Sequence, residues 1–137
     1  IVELEDKPGI AFKIFNKLAQ AKINVDIILQ SIGRNNTKDI TFTVSQDNRE
    51  DAVTVIEALK DSLDFKEVTY DENVSKVSIV GAGMESNPGV AAKMFEALFD
   101  AGINIRMIST SEIKVSVLID ENQADAAVIA VHDKFVN

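Results

Sequence analysis

The sequence predicts an α+β chain made of two copies of one β-α-β-β-α unit, and three observations predict it. A Pro-Gly turn recurs 80 residues on, as Pro8-Gly9 and Pro88-Gly89. Each turn is followed by an apolar stripe at helical spacing, and each stripe by short runs in which apolar and polar residues alternate. The copies match without a gap from Glu5-Asp6-Lys7-Pro8-Gly9-Ile10-Ala11 (against Glu85-Ser86-Asn87-Pro88-Gly89-Val90-Ala91) to Asn24-Val25-Asp26-Ile27-Ile28 (against Asn104-Ile105-Arg106-Met107-Ile108). Spacing and residue type repeat together, as a duplication requires.

The elements follow in order. Ile1-Val2-Glu3-Leu4 and Val77-Ser78-Ile79-Val80 are short and rich in branched residues, as strands are. The Pro-Gly turns come next, with Asp6, or Ser86 and Asn87, where a helix N-cap is expected. Ile10, Ile14, Leu18 and Ala21, and then Val90, Met94, Leu98 and Ala101, give each following helix one apolar face that must cover a sheet. Strands are expected at 25–31 and 105–109, paired in hairpins with 40–45 and 113–119. Arg34-Asn35-Asn36-Thr37-Lys38-Asp39 supplies the longer first loop, and Ser111-Glu112 the tighter second one. A second helix over 49–62 has Ala52, Val55, Ile56 and Leu59 on one side, and its counterpart covers 123–134.

A last strand at 65–70 completes a ferredoxin-like β-α-β-β-α-β split sandwich over residues 1–73. The second copy, 74–137, has only Asp133 to Asn137 left after its helix. Its fourth strand is therefore expected from another segment, upstream of Ile1, because an unpaired sheet edge invites association. Opening at Ile1 without an initiator Met, the sequence reads as a piece of a longer protein.

Composition narrows the function. The 137 residues are 46% apolar and 26% charged, as in a soluble globular protein. No run approaches the roughly 18 apolar residues of a membrane helix, and no secretory leader is present, so a cytoplasmic location is expected. The absence of cysteine excludes disulfides, thiolate metal sites and a cysteine nucleophile. A net charge of −8 argues against a nucleic-acid partner, which needs a basic face. Gly81-Ala82-Gly83 fails as a dinucleotide fingerprint at Ser86, His132 stands alone, and Met84, Met94 and Met107 read as core or interface filler. With no nucleophile-base pair or phosphate loop, these residues do not read as an enzyme.

They do read as a binding module. A helix N-terminus presents unpaired N–H groups and partial positive charge, so segments 7–11 and 87–91 suit an α-carboxylate. An ammonium at the other end of the ligand needs acceptors, for which Asp26, Glu112 and Asp6 are candidates. Each feature also has a plainer explanation: turn geometry for Pro-Gly, a solvated strand start for Asp26, ordinary strand residues for Gln30 and Ser109.

Three motifs carry a family resemblance: the Asp6-Lys7-Pro8-Gly9 turn, the segment Ile23-Asn24-Val25-Asp26-Ile27-Ile28-Leu29-Gln30, and Ser109-Thr110-Ser111-Glu112. Together they resemble the tandem ACT domains of bacterial aspartate kinase, over essentially the whole chain. The resemblance implies that the first ACT domain is inserted into the second, whose missing strand comes from the preceding segment. It also implies an effector site of Asp6, Gly9, Ile10, Ala11, Asn24, Val25, Asp26 and Gln30, with Ser109, Thr110, Ser111 and Glu112 from the second copy. By repetition, Asn87, Gly89, Val90, Asn104 and Ile105 join the list.

The implied effectors are lysine, threonine or both, and the implied partners are a second copy of the chain and a catalytic domain or subunit. That catalytic part would phosphorylate aspartate with ATP and Mg²⁺; no cofactor is expected within these residues. Arg106 stands where the first copy has Asp26, so a lysine side chain should be anchored by Asp26 or Glu112 instead. The alternatives are a tandem ACT sensor of another amino-acid pathway, or a ligand-free dimerisation module.

Overall fold

The computed structural model describes residues 1–81 and 89–136. Ala82, Gly83, Met84, Glu85, Ser86, Asn87 and Pro88, which surround the second turn, lie outside the described residues. The chain forms two compact units, Ile1–Tyr70 and Asp71–Asn137.

In the first unit, strand β1 (Leu4–Glu5) is followed by helix α1 (Ile10–Gln20), strands β2 (Ile28–Ile32) and β3 (Thr37–Phe42), and helix α2 (Arg49–Ala58). The strands form an antiparallel sheet in the order β1-β3-β2. Ile10, Ile14 and Leu18 recur every four residues and are all but sealed from water, so α1 lays one face on the sheet against Leu4 and Ile40. Ala52, Ile56 and Leu59 of α2 and its following turn complete this core, and Val55 packs partly against it.

Helix α1 stops by a Schellman turn. Lys22 adopts a left-handed conformation (φ 61°), its N–H bonds the Ala19 carbonyl at 2.9 Å, and the Ile23 N–H bonds that of Leu18 at 3.0 Å. The hairpin then turns through Asn35 and Asn36, both at positive φ, as a type I′ turn does.

The second unit repeats the plan with β4 (Val74–Val80), α3 (Gly89–Asp100), β5 (Met107–Thr110), β6 (Lys114–Asp120) and α4 (Ala124–Val136), in the sheet order β4-β6-β5. Met94 and Leu98 of α3 are fully buried over Val117 and Ile119. The same Schellman turn closes α3, with Gly102 (φ 71°) bonding Phe99 at 3.0 Å and Ile103 bonding Leu98 at 2.9 Å. Each second helix follows a single 3-10 turn, Gln46–Asn48 or Glu121–Gln123.

Several boundaries differ from the sequence expectation. Thr37, Lys38 and Asp39 belong to β3, because the two-residue turn at Asn35-Asn36 lets pairing start at once. Strand β2 starts at Ile28, after residues 24–27 leave the Schellman turn. The N-cap of α1 is Gly9 (φ 89°) with no side-chain cap bond, so Asp6 does not cap it. Helix α2 ends at Ala58, and α4 runs on to Val136.

The expected strand at 65–70 is reduced to one bridge, Val2 with Glu67. A bulge also interrupts the neighbouring first strand. Glu3 sits at φ 52°, its N–H turned to the Asp39 carboxylate at 2.8 Å, which breaks the ladder between the Val2 and Glu5 contacts. In the second unit β4 pairs only with β6, continuously from Val74 opposite Asp120 to Val80 opposite Lys114, and no described strand borders its other edge. No described helix is long and apolar enough to cross a membrane.

Leu18→Ala and Leu98→Ala are each expected to cost about 2–5 kcal/mol in urea unfolding, the range for emptying a sealed core position. Lys22→Gly should stabilise by about 1 kcal/mol, because glycine takes the left-handed turn without Cβ strain, and Gly102→Lys should cost a similar amount.

Candidate functional site

The proposed carboxylate corner of the first unit is the Lys7-Pro8-Gly9 turn into α1. The first full helical bond runs from the Lys13 N–H to the Gly9 carbonyl at 3.0 Å, so the Ala11 and Phe12 N–H groups point out of the helix start without intrahelical acceptors. Gly9 is exposed, Ile10 is buried with its N–H donating to the Lys7 carbonyl at 3.4 Å, and Ala11 is half-buried. Asp6 is already engaged: its carboxylate pairs with Lys38 at 3.2 Å, and its N–H bonds the Asn36 carbonyl at 2.8 Å.

Asn24, Val25 and Asp26 lie elsewhere. The Asp26 N–H bonds the Thr43 carbonyl at 3.1 Å, and the Ile27 N–H bonds the Thr43 hydroxyl at 2.9 Å. Asp6 is thus tied to β3 at Lys38, and Asp26 just past its other end at Thr43. Five residues of extended chain separate those anchors by about 17 Å. Helix α1 spans the same height, its 11 residues rising about 16 Å. No free amino acid bridges that distance, so the Gly9 corner and the Asp26 corner of one unit cannot grip the two ends of one ligand. Gln30 lies between them, exposed on edge strand β2 in register with Ile40.

In the second unit Gly89 opens α3, Val90 is half-buried, and Asn87 lies outside the described residues. Asn104 is exposed and Ile105 packs partly on the second core. Ser109 and Thr110 are on β5 opposite Ser116 and Val115. Ser111 stands opposite Lys114, its N–H donating to the Lys114 carbonyl at 2.7 Å, and Glu112 and Ile113 form the tight turn between them, one residue later than expected. These residues share one end of the sheet with Gly81, whose N–H bonds the Ile113 carbonyl at 2.8 Å, whereas Asn104 to Arg106 are at the other end.

Two arrangements were not visible in the sequence. Ser78, Ser116 and Ser109 form a row across β4, β6 and β5 on one sheet face, with the Ser78 and Ser116 hydroxyls 2.7 Å apart and Ser116 fully buried. The alternation of β6 marks Ser116 as a position off the core face, but only register reveals the row.

The other arrangement surrounds Arg106. Its N–H bonds the Leu118 carbonyl at 2.8 Å as Asp26 bonds Thr43, which confirms the equivalence of the two positions. Its guanidinium, however, holds two internal carboxylates, Asp120 at 2.8 Å through Nε and Asp71 through Nη1. The Asn73 N–H and the Arg106 guanidinium keep the Asp71 carboxyl below its ordinary pKa, and Asp71 in turn raises that of Arg106. The network lines an open cleft of about 350 Å³ with Asn73, Glu121 and Asn122.

Comparison with known proteins places this geometry in a family. ACT domain profiles match residues 1–64 and residues 77–135. The aspartokinase of Mycolicibacterium smegmatis is 49% identical over 137 residues, covering 98% of this chain and 32% of that protein. The ligand-free regulatory subunit of aspartate kinase from Thermus thermophilus superimposes with a TM-score of 0.89 at 40% identity, covering 98% of this chain and 89% of that one. A structure of aspartokinase alpha and beta subunits gives 0.89 at 44% identity, covering 100% and 90%. The chain thus spans about a third of the length of the full aspartokinases it matches.

Gly9→Ala is expected to destabilise by about 1 kcal/mol in thermal or urea unfolding. A Cβ there meets nothing within 4 Å, so the cost comes from the left-handed backbone and not from a clash.

Proposed function

This chain belongs to the ACT-domain family, as the tandem regulatory region of an aspartate kinase, and from that premise we propose that it binds lysine, threonine or both for feedback inhibition. The observation that carries the reading is the uncapped start of α1 at Gly9, whose outward N–H groups and helix dipole suit an α-carboxylate. Because the acceptors around Asp26 are a strand length away, the ammonium is taken by a second ACT domain of a paired chain. Gly9, Ile10 and Ala11 serve the carboxylate through their backbone, while Asn24, Val25, Asp26 and Gln30 serve the amine. Ser109, Thr110, Ser111 and Glu112, with Asn104, Ile105, Gly89, Val90 and Asn87, play the matching parts in the second repeat. Asp6 acts indirectly, through Lys38.

Exposed sheet edges favour such pairing. Strand β2 borders its sheet with Ile28, Leu29 and Ile32 exposed, Ile32 at 96%, and β5 carries exposed Ile108 on the corresponding edge. In this reading a cytoplasmic homodimer closes around the effector. The catalytic domain or subunit, which transfers phosphate from ATP with Mg²⁺ to the aspartate side-chain carboxylate, responds to the dimer arrangement. Inhibition is then limited by the effector's preference between two arrangements.

Titration calorimetry with lysine and with threonine is expected to show saturable binding of at least one of them. Asp26→Ala should weaken it about tenfold or more, worth about 1.4 kcal/mol, with unchanged circular dichroism. No heat and no thermal shift with either amino acid at millimolar concentration would favour a ligand-free dimerisation module.

A further inference from the structure

Two arginines that the duplication does not explain each hold one side of the connecting segment to its own unit. Tyr70 ends the first unit and Asp71 begins the second. On the first side, Arg49, the opening residue of α2, stacks its guanidinium 4.3 Å from the centre of the Tyr70 ring, and Val68 packs against the first core. On the second side, Arg106 binds Asp71 together with Asp120. The Asp71 carboxylate accepts the Asn73 N–H at 2.9 Å, and the Asn73 carbonyl accepts the Glu121 N–H at 3.0 Å.

Neither arginine has a counterpart in the other repeat. Helices α2 and α4 both begin after a 3-10 turn, so Arg49 corresponds to Ala124, and Arg106 corresponds to Asp26. The segment Val68-Thr69-Tyr70-Asp71-Glu72-Asn73 also contains no glycine, proline or serine, the residues of a flexible linker.

We propose that Arg49 and Arg106 make the connection between the repeats a clamped joint, in which Tyr70 moves with the first unit and Asp71 with the second. Only the dihedral angles flanking the Tyr70–Asp71 peptide then lie outside both clamps. Exposed ion pairs taken singly contribute little. Here one planar fork bridges carboxylates from two segments, and backbone bonds close the ring, so three connector residues are ordered together.

Limited chymotrypsin digestion of the intact chain tests the joint. Tyr70 is 59% exposed, so its side chain is accessible, and cleavage after it depends on how freely the backbone opens. Arg49→Met and Arg106→Met, which keep side-chain bulk, should each speed cleavage at Tyr70–Asp71 by about tenfold or more. Cleavage at Phe12 and Phe99, exposed on α1 and α3, should stay unchanged. Amide exchange adds an independent readout: Arg106→Met should release the Asn73 and Glu121 N–H groups while leaving Val117 protected. Equal Tyr70 cleavage in wild type and both variants, or a parallel rise at all three sites, would overturn the proposal.

Discussion

The height of a single α/β layer is the constraint on which the binding geometry depends. Helix α1 runs from one end of its sheet to the other, so the helix start that attracts anions and the loop that carries Asp26 are separated by the full length of β3. Apolar burial sets that height. Ile10, Ile14 and Leu18 must lie over Ile40 and Leu4, and once they do, the polar corners are held apart by the core itself. In the proposed reading a unit of this kind presents one half of a receptor for a small zwitterion, and another domain supplies the other half.

The two copies of the duplication keep the backbone plan and differ at corresponding side chains. The left-handed stop after each helix is kept in geometry while its residue changes from Lys22 to Gly102. The strand entry is kept in hydrogen bonding while its side chain changes from Asp26 to Arg106. The first strand is bulged at Glu3 in one copy and runs unbroken in the other. Backbone bonding is set by the layer and resists change, whereas the side chains that project from it are free to take on new partners.

The divergence gives the second unit a different economy of charge. Where the first unit exposes a carboxylate at the strand entry, the second has a guanidinium already committed to Asp71 and Asp120. That commitment ties Asp71 to Asn73, the segment that follows the last residue of the first unit, into the body of the second.

The sequence by itself determined the duplication, the two helix faces and the strand runs. Burial of a helix at Leu18 or Leu98, and alternation in a strand such as Lys114 to Asp120, leave periodic marks that can be read one residue at a time. It also indicated the helix starts, because Gly9 meets a local backbone need. Tertiary structure alone decided which candidates could act together: Asp6 neutralised by Lys38, Asp26 placed at the opposite end of β3 from the Gly9 corner, Ser109 in line with Ser116 and Ser78, and Arg106 closed on carboxylates from two other segments. Those relations depend on strand register and on contacts between residues up to 38 positions apart, as between Ser78 and Ser116, and no local pattern encodes them.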